Sequence, residues 1–178
     1  MATPMITRIY VAHYLPPSVN AVMQHLDIDS DLHLTLLQTT RYHLFLDYDP
    51  EKVRQSFNEL AQNFGPIYCR FTGVGLMKHS NECLVALVEM RRGAELYSRL
   101  LSECEKNWGN FGTSHDFLPH VTLRWNNKGR GLVPLEDVRS YSWTLDRLTV
   151  KIETSYDIPG AGEDFEISED VLLKGERR

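Results

Sequence analysis

The strongest constraint on this chain is a four-residue pattern that occurs twice. His33-Leu34-Thr35-Leu36 and His120-Val121-Thr122-Leu123 both read histidine, aliphatic, threonine, leucine, 87 positions apart. In an extended strand, side chains at i and i+2 share a face and their neighbours take the other. Each run therefore puts an imidazole and a hydroxyl on one face and two aliphatic groups on the opposite one. A fold that accommodates both runs needs a sheet with one face under helices and the other open to a polar cleft. With 7 histidines in the chain, about one His-x-Thr or His-x-Ser match arises by chance, so a lone match carries little. Recurrence of the whole pattern, one copy in each half, points to an internal two-fold duplication.

Around these runs, strand and helix signals alternate. Residues 6–14, ITRIYVAHY, are rich in β-branched and aromatic side chains and read as a strand. From Pro17, a natural first residue of a helix, Val19, Val22, Met23 and Leu26 recur at helical spacing. Residues 32–39 are a second strand, and residues 40–50 read as a short strand or an ordered loop. Asp49-Pro50 opens a helix with Val53, Phe57, Leu60, Ala61 and Phe64 on one face. Residues 67–77 and 83–90 form a strand pair, with Gly73 and Gly75 marking a bulge or bend. Residues 93–108 are helical, with Tyr97, Leu100, Leu101, Cys104 and Trp108 inward. Residues 120–126 are the next strand, 126–131 a flexible basic loop, and 142–158 one or two further strands. The stretch 159–178 carries weak periodic signals and reads as an acidic tail, leaving 1–158 as one domain. The order β-α-β-α-β-β-α-β-β implies an α+β fold, a mostly antiparallel sheet with helices outside it.

Composition narrows the function. The chain has 178 residues, 42% hydrophobic and 24% charged, which suits one folded domain rather than a disordered chain. A net charge of −5 excludes a general binder of duplex nucleic acid and leaves room for a small or short anionic ligand in a local basic pocket. Cys69, Cys83 and Cys104 show no metal-ligand spacing and read as structural thiols, so no metal or other cofactor is called for. The first residues lack the charge and apolar core of a signal peptide, and no apolar run approaches a membrane span. The expectation is a cytoplasmic protein with no membrane partner; nothing in the sequence speaks to its oligomeric state.

If both runs face one cleft, two imidazoles and two hydroxyls converge on a quartet suited to a phosphodiester. Histidine exchanges protons near neutral pH, so one imidazole can take a proton from an attacking hydroxyl while the other gives one to the leaving oxygen. Threonine hydroxyls can donate to the non-bridging oxygens, where negative charge grows. His33, Thr35, His120 and Thr122 are thus the candidate catalytic set.

Paired motifs of this form, in a chain of this size, resemble the 2H phosphoesterase superfamily across residues 6 to about 155. The resemblance implies a duplicated, bilobal sheet with both motifs at the bottom of a central cleft. It also implies metal-independent chemistry, with His33 and His120 as the proton-transfer pair and Thr35 and Thr122 as phosphate clamps. Members include RNA 2′,3′-cyclic phosphodiesterases, 2′-5′ RNA ligases and 2′-5′ oligoadenylate phosphodiesterases. The run SHDFLPHVTLRWN, together with the early IYVA strand, is also similar to the phage anti-CBASS branch. Those enzymes open the cyclic oligonucleotides that bacteria use as defence messengers, which for this chain implies action in a host cytoplasm. In that branch a similar element precedes the second motif, and an aromatic on the first strand, here Tyr10, stacks on a base. The first motif, HLTLLQT, departs from that branch toward the general superfamily pattern.

Four further residues are candidates for binding substrate. Tyr10 can stack on a base or pack in the core. Arg124, two residues beyond Thr122, shares its face on a regular strand and can meet a phosphate. His115, with Asp116, can orient His120, touch a base edge or simply cap a turn. Glu153 can polarise a histidine, read a base amine or lie exposed. Trp125, three residues from Thr122, falls nominally on the opposite face, in the core or at the cleft rim. Phe71 is an alternative stacker with a core role favoured, and Arg41, Lys78, Lys128 and Arg130 can supply a local positive field. Three readings compete: a phosphodiesterase acting on cyclic di- or trinucleotides, an RNA-end phosphodiesterase or RNA ligase-like enzyme, and a sponge that binds nucleotide without cutting it.

Overall fold

The computed structural model describes residues 4–29, 31–44, 50–78, 81–108, 117–156 and 165–175. Its strands are β1 (Pro4–Tyr14), β2 (His33–Leu44), β3 (Ile67–Lys78), β4 (Glu82–Met90), β5 (His120–Arg124), β6 (Ser142–Leu145), β7 (Arg147–Tyr156) and β8 (Phe165–Leu172). They join in one sheet in the order β6-β3-β4-β5-β2-β1-β7-β8, with every described neighbour pair antiparallel. The order is symmetric about the β5–β2 seam, four strands to a side, as a duplicated α+β fold requires.

The helices are α1 (Pro17–Met23), α2 (Pro50–Gln62), α3 (Gly93–Trp108) and α4 (Leu135–Arg139), with a 3-10 turn at Gln24–Leu26 after α1. Their apolar residues, among them Met23, Phe57, Leu60, Leu96, Leu100 and Val138, pack with Leu34, Leu36, Val121 and Leu123 in one core. The aliphatic positions of both repeated motifs are thus the roots of that core, and the histidines and threonines lie on the other face. Cys69, Cys83 and Cys104 are buried and unbridged, and burial pushes the thiols of Cys69 and Cys104 up to about 12.

One open reading is resolved and two others are changed, each for a physical reason. Residues 40–44 continue β2, because β1 supplies partners as far as Pro4 opposite Leu44. The segment between β5 and β6 contains the short helix α4, anchored by buried Val138. The acidic stretch past residue 158, read as a tail, holds an edge strand. Asp170 and Glu169 face Thr149 and Val150 of β7, and Val171 and Leu173 are buried. Its inward apolar positions are too few to stand out among the acids. The expected bend at Gly73 is a bulge between Phe71 and Gly73. A Cβ on Gly73 would stand 3.1 Å from the Leu87 side chain, so the close approach of β3 to β4 favours glycine there.

Candidate active site

Strands β2 and β5 are neighbours, and Leu34 lies directly across from Val121. One step to either side sets His33 across from Thr122 and Thr35 across from His120. A local two-fold axis through the Leu34–Val121 pair therefore relates the two motifs. Directly opposed residues carry Cβ atoms roughly 5 Å apart, and diagonal positions such as His33 and His120 stand roughly 7–8 Å apart. Since Leu34 and Val121 are fully buried, the four polar side chains share the opposite, half-exposed face. A separation of that order between the His33 and His120 positions leaves room for one phosphate group.

Both imidazoles are turned in the same way. The Nδ1 of His33 lies 3.0 Å from the carbonyl of Asp31, and the Nδ1 of His120 lies 2.8 Å from the carbonyl of Leu118. A carbonyl only accepts, so each Nδ1 carries the proton and donates it two residues back along the chain. Each Nε2 is left as the nitrogen that can gain or lose a proton. Different local devices present the two carbonyls. Asp31 holds a left-handed φ of 57°, which aspartate tolerates, whereas Leu118 precedes Pro119 and is confined to extended backbone. His33 is further held by Tyr10, edge-on with ring centroids 5.9 Å apart, and by Tyr14 at 5.4 Å.

A bulge follows each motif at the same place. Ala12 pairs with Thr35 and Val11 with Leu37, which leaves Leu36 unpaired; Val85 pairs with Thr122 and Leu84 with Arg124, which leaves Leu123 unpaired. The extra residue reverses the alternation beyond it. Leu37 and Arg124 turn to the buried side, and Gln38 and Trp125, three residues past each threonine, are exposed.

This corrects the expectation for Arg124. Its side chain is buried and bonds inward: Nε donates to the Asp27 carbonyl at 2.5 Å, Nη2 to the Leu26 carbonyl at 3.1 Å and Nη1 to Asn127 Oδ1 at 3.0 Å. Arg124 ties the turn after α1 to the end of β5, and those donors are not turned to the cleft. Trp125, nominally on the opposite face, is 56% exposed and lines the cleft.

The cleft beside the dyad has a volume of about 430 Å³ and is lined by Tyr10, Tyr14, His33, Thr35, Gln38 and Trp125 at one end and Arg8, Lys151 and Glu153 at the other. That size suits a small ligand. His120 and Thr122 adjoin it across the β2–β5 seam. Tyr10 is half-buried, its hydroxyl 3.4 Å from Thr35 Oγ1. Either hydroxyl can be the donor in that bond, and burial raises the Tyr10 phenol above its ordinary value, so it stays protonated. Glu153 is exposed on β7, across from Arg8.

His115 and Asp116 lie outside the described residues, as does the side chain of Arg41. Phe71 is in the core against Trp143, ring centroids 4.9 Å apart. Arg130 pairs with Asp27 at 2.6 Å, and Lys78 and Lys128 are exposed outside the cleft lining. The cations that line the cleft are Arg8 and Lys151, which the sequence reading passed over. Period-two spacing could have found Arg8, two residues before Tyr10. Among the described residues, no group of three His, Cys, Asp or Glu is placed to hold a metal ion, and no helix is long and apolar enough to cross a membrane.

A curled antiparallel sheet presenting two dyad-related His-x-Thr pairs defines a phosphoesterase class of fold. The family model of the 2′-5′ RNA ligase superfamily matches residues 21–152, which is more than half of the chain. The chain belongs to that superfamily, the 2H phosphoesterases, and membership supports phosphoesterase activity in general. No curated protein matches the chain. Among solved structures, TT0787 of Thermus thermophilus is 20% identical with a TM-score of 0.70, covering 96% of this chain and 100% of its own. E. coli LigT complexed with 3′-AMP is 19% identical with a TM-score of 0.60, covering 94% and 98%. At such identities these likenesses bear on the fold alone.

Proposed function

We propose that this protein is a metal-independent phosphodiesterase that cleaves a phosphodiester in a nucleotide substrate, with cyclic di- and trinucleotides preferred. The observation that carries this reading is the dyad across β2 and β5, with both Nδ1 atoms tied to carbonyls and both Nε2 atoms left for proton transfer. In the proposed reaction, one neutral Nε2 takes the proton of the ribose 2′-hydroxyl as its oxygen attacks the adjacent phosphorus. The other imidazole, protonated, gives its Nε2 proton to the departing 5′ oxygen. The P–O5′ bond breaks as the P–O2′ bond forms, leaving a 2′,3′-cyclic phosphate and a free 5′-hydroxyl. Thr35 and Thr122 donate to the non-bridging oxygens, whose charge grows in the transition state. The local symmetry lets either histidine serve as base, with the substrate's polarity deciding between them.

The family itself favours a second reading, action on RNA 2′,3′-cyclic ends or 2′-5′ linkages. LigT has been seen with 3′-AMP and with NADP+, nucleotides that a cleft of this kind can take. One experiment separates the readings. The purified protein is incubated in EDTA with a panel of cyclic di- and trinucleotides, of linear 3′-5′ and 2′-5′ oligonucleotides and of oligonucleotides ending in a 2′,3′-cyclic phosphate, and the products are weighed by mass spectrometry. Opened cyclic messengers support the first reading, products from linear RNA alone the second. A panel left wholly intact overturns both.

A further inference from the structure

The cleft is longer than the reacting phosphate needs. It runs from His33 and Thr35 past Tyr10 and Gln38 to Arg8, Lys151 and Glu153. Register fixes this arrangement: Gln38, Tyr10 and Lys151 form one row across β2, β1 and β7, and Arg8 lies two residues further along β1, opposite Glu153. Ala12 pairs with Thr35, so Arg8 is four residues from the threonine's row, about 13 Å along the strand. That span takes one nucleoside, with the half-buried face of Tyr10 beneath it.

Arg8 and Lys151 make no ion pair or hydrogen bond with any described residue. Glu153 makes none either, although its backbone lies across from Arg8. Several other arginines are paired, Arg54 with Glu51 and Glu169, Arg70 with Glu89, Arg92 with Glu95 and Arg130 with Asp27, whereas Arg91, Arg99 and Arg139 lie outside the cleft without an ion pair to a described residue. Among the residues that line the cleft, two uncommitted cations stand against one carboxylate, in a chain whose net charge is −5; Glu166, across from Glu153 on β8, lies outside that lining. The side chains are long enough to close on a group between them, and an arginine fork beside an ammonium suits phosphate oxygens.

We propose that Arg8 and Lys151 form a subsite for a second phosphate, one nucleoside away from the phosphate that is cut. The substrate is accordingly an oligonucleotide with at least two phosphates, linear or cyclic, rather than a lone nucleoside cyclic phosphate. This rests on the proposed function for the first phosphate, but it can be tested without turnover.

The test compares two deoxydinucleotides, which lack the 2′-hydroxyl and so resist the proposed cleavage. One carries only its internal phosphate, and the other is phosphorylated at both ends. Their dissociation constants are measured by calorimetry at low ionic strength for the native protein and for an Arg8→Ala/Lys151→Ala variant. Both positions are at least partly exposed, so the variant is expected to fold, with its thermal unfolding as the check. The terminal phosphates are expected to tighten binding to the native protein about tenfold, and the double substitution to abolish that gain while leaving the singly phosphorylated ligand unchanged. Equal affinity of the native protein for both ligands, no detectable binding of either, or a gain that survives in the variant overturns the subsite. Loss of the phosphodiesterase reading shows up separately, as failure to cut any member of the cyclic and linear panel described above.

Discussion

Replacing Arg124 with methionine separates a structural arginine from a phosphate-binding one. Met keeps much of the volume and removes all the donors. Two acceptors in buried residues then lose their partner: the Leu26 carbonyl, bonded at 3.1 Å, and Asn127 Oδ1, bonded at 3.0 Å. The Asp27 carbonyl is less affected, because Arg130 Nη2 still donates to it at 3.4 Å and the residue is exposed. At roughly 1–3 kcal/mol for each stranded acceptor, offset by the apolar methionine stem, the net cost is about 3 kcal/mol. For a domain of this length that lowers Tm by roughly 6–12 °C. The assay pairs calorimetric unfolding with steady-state kinetics at a temperature where both proteins are folded. The expected result is the Tm loss with KM within about threefold of native. An unchanged Tm with KM raised tenfold or more would mean that Arg124 meets substrate, and the bulge argument would be wrong.

Other perturbations follow from the same geometry. Thr35→Val and Thr122→Val keep the β-branched shape but remove the hydroxyl; each should lower kcat about 10²-fold with little change in KM, and a KM effect alone would make the threonines ground-state contacts. His13 is buried, its Nδ1 donating to the Arg147 carbonyl at 2.8 Å while Nε2 has no partner, and burial lowers its pKa from the ordinary 6.5. The unfolded chain therefore takes up the proton first as pH falls, so stability from neutral His13 is complete above about 6.5 and declines below it by at most about 1.4 kcal/mol per pH unit, until His13 protonates in the fold. Urea midpoints between pH 8 and 5 should fall more for the native protein than for His13→Gln, and parallel declines would contradict this.

The sheet was legible because alternation and turn residues agree locally. ITRIYVAHY, LHLTLLQT and CLVALVEM each carry enough β-branched, aromatic or aliphatic residues to read as strands. The motif quartet was legible because the positions two apart in each copy lie before the bulge. The face assigned past it was off by one step: Arg124 was expected on the cleft face and is buried, while Trp125, nominally on the opposite face and expected in the core or at the cleft rim, is exposed in the cleft lining. A bulge leaves no mark in an apolar run, because Leu36 and Leu123 look like any core residue. The strand within the acidic stretch was hidden for a related reason. An edge strand buries little, so Val171 and Leu173 inside the EDVLL run gave no pattern long enough to read. Arg8 and Lys151 became visible only once β1 and β7 were side by side, since long-range pairing sets which charges share a cleft.

The central claim is that two motifs distant in sequence act on one phosphate. The most direct test is single-turnover cleavage by His33→Ala, His120→Ala and the variant carrying both. Each single substitution should slow the chemical step by roughly 10²-fold or more, and the pair should be little worse than the slower single, because a base without its acid partner has little left to lose. Either single variant reacting within threefold of native, or losses that simply multiply, would contradict a shared site.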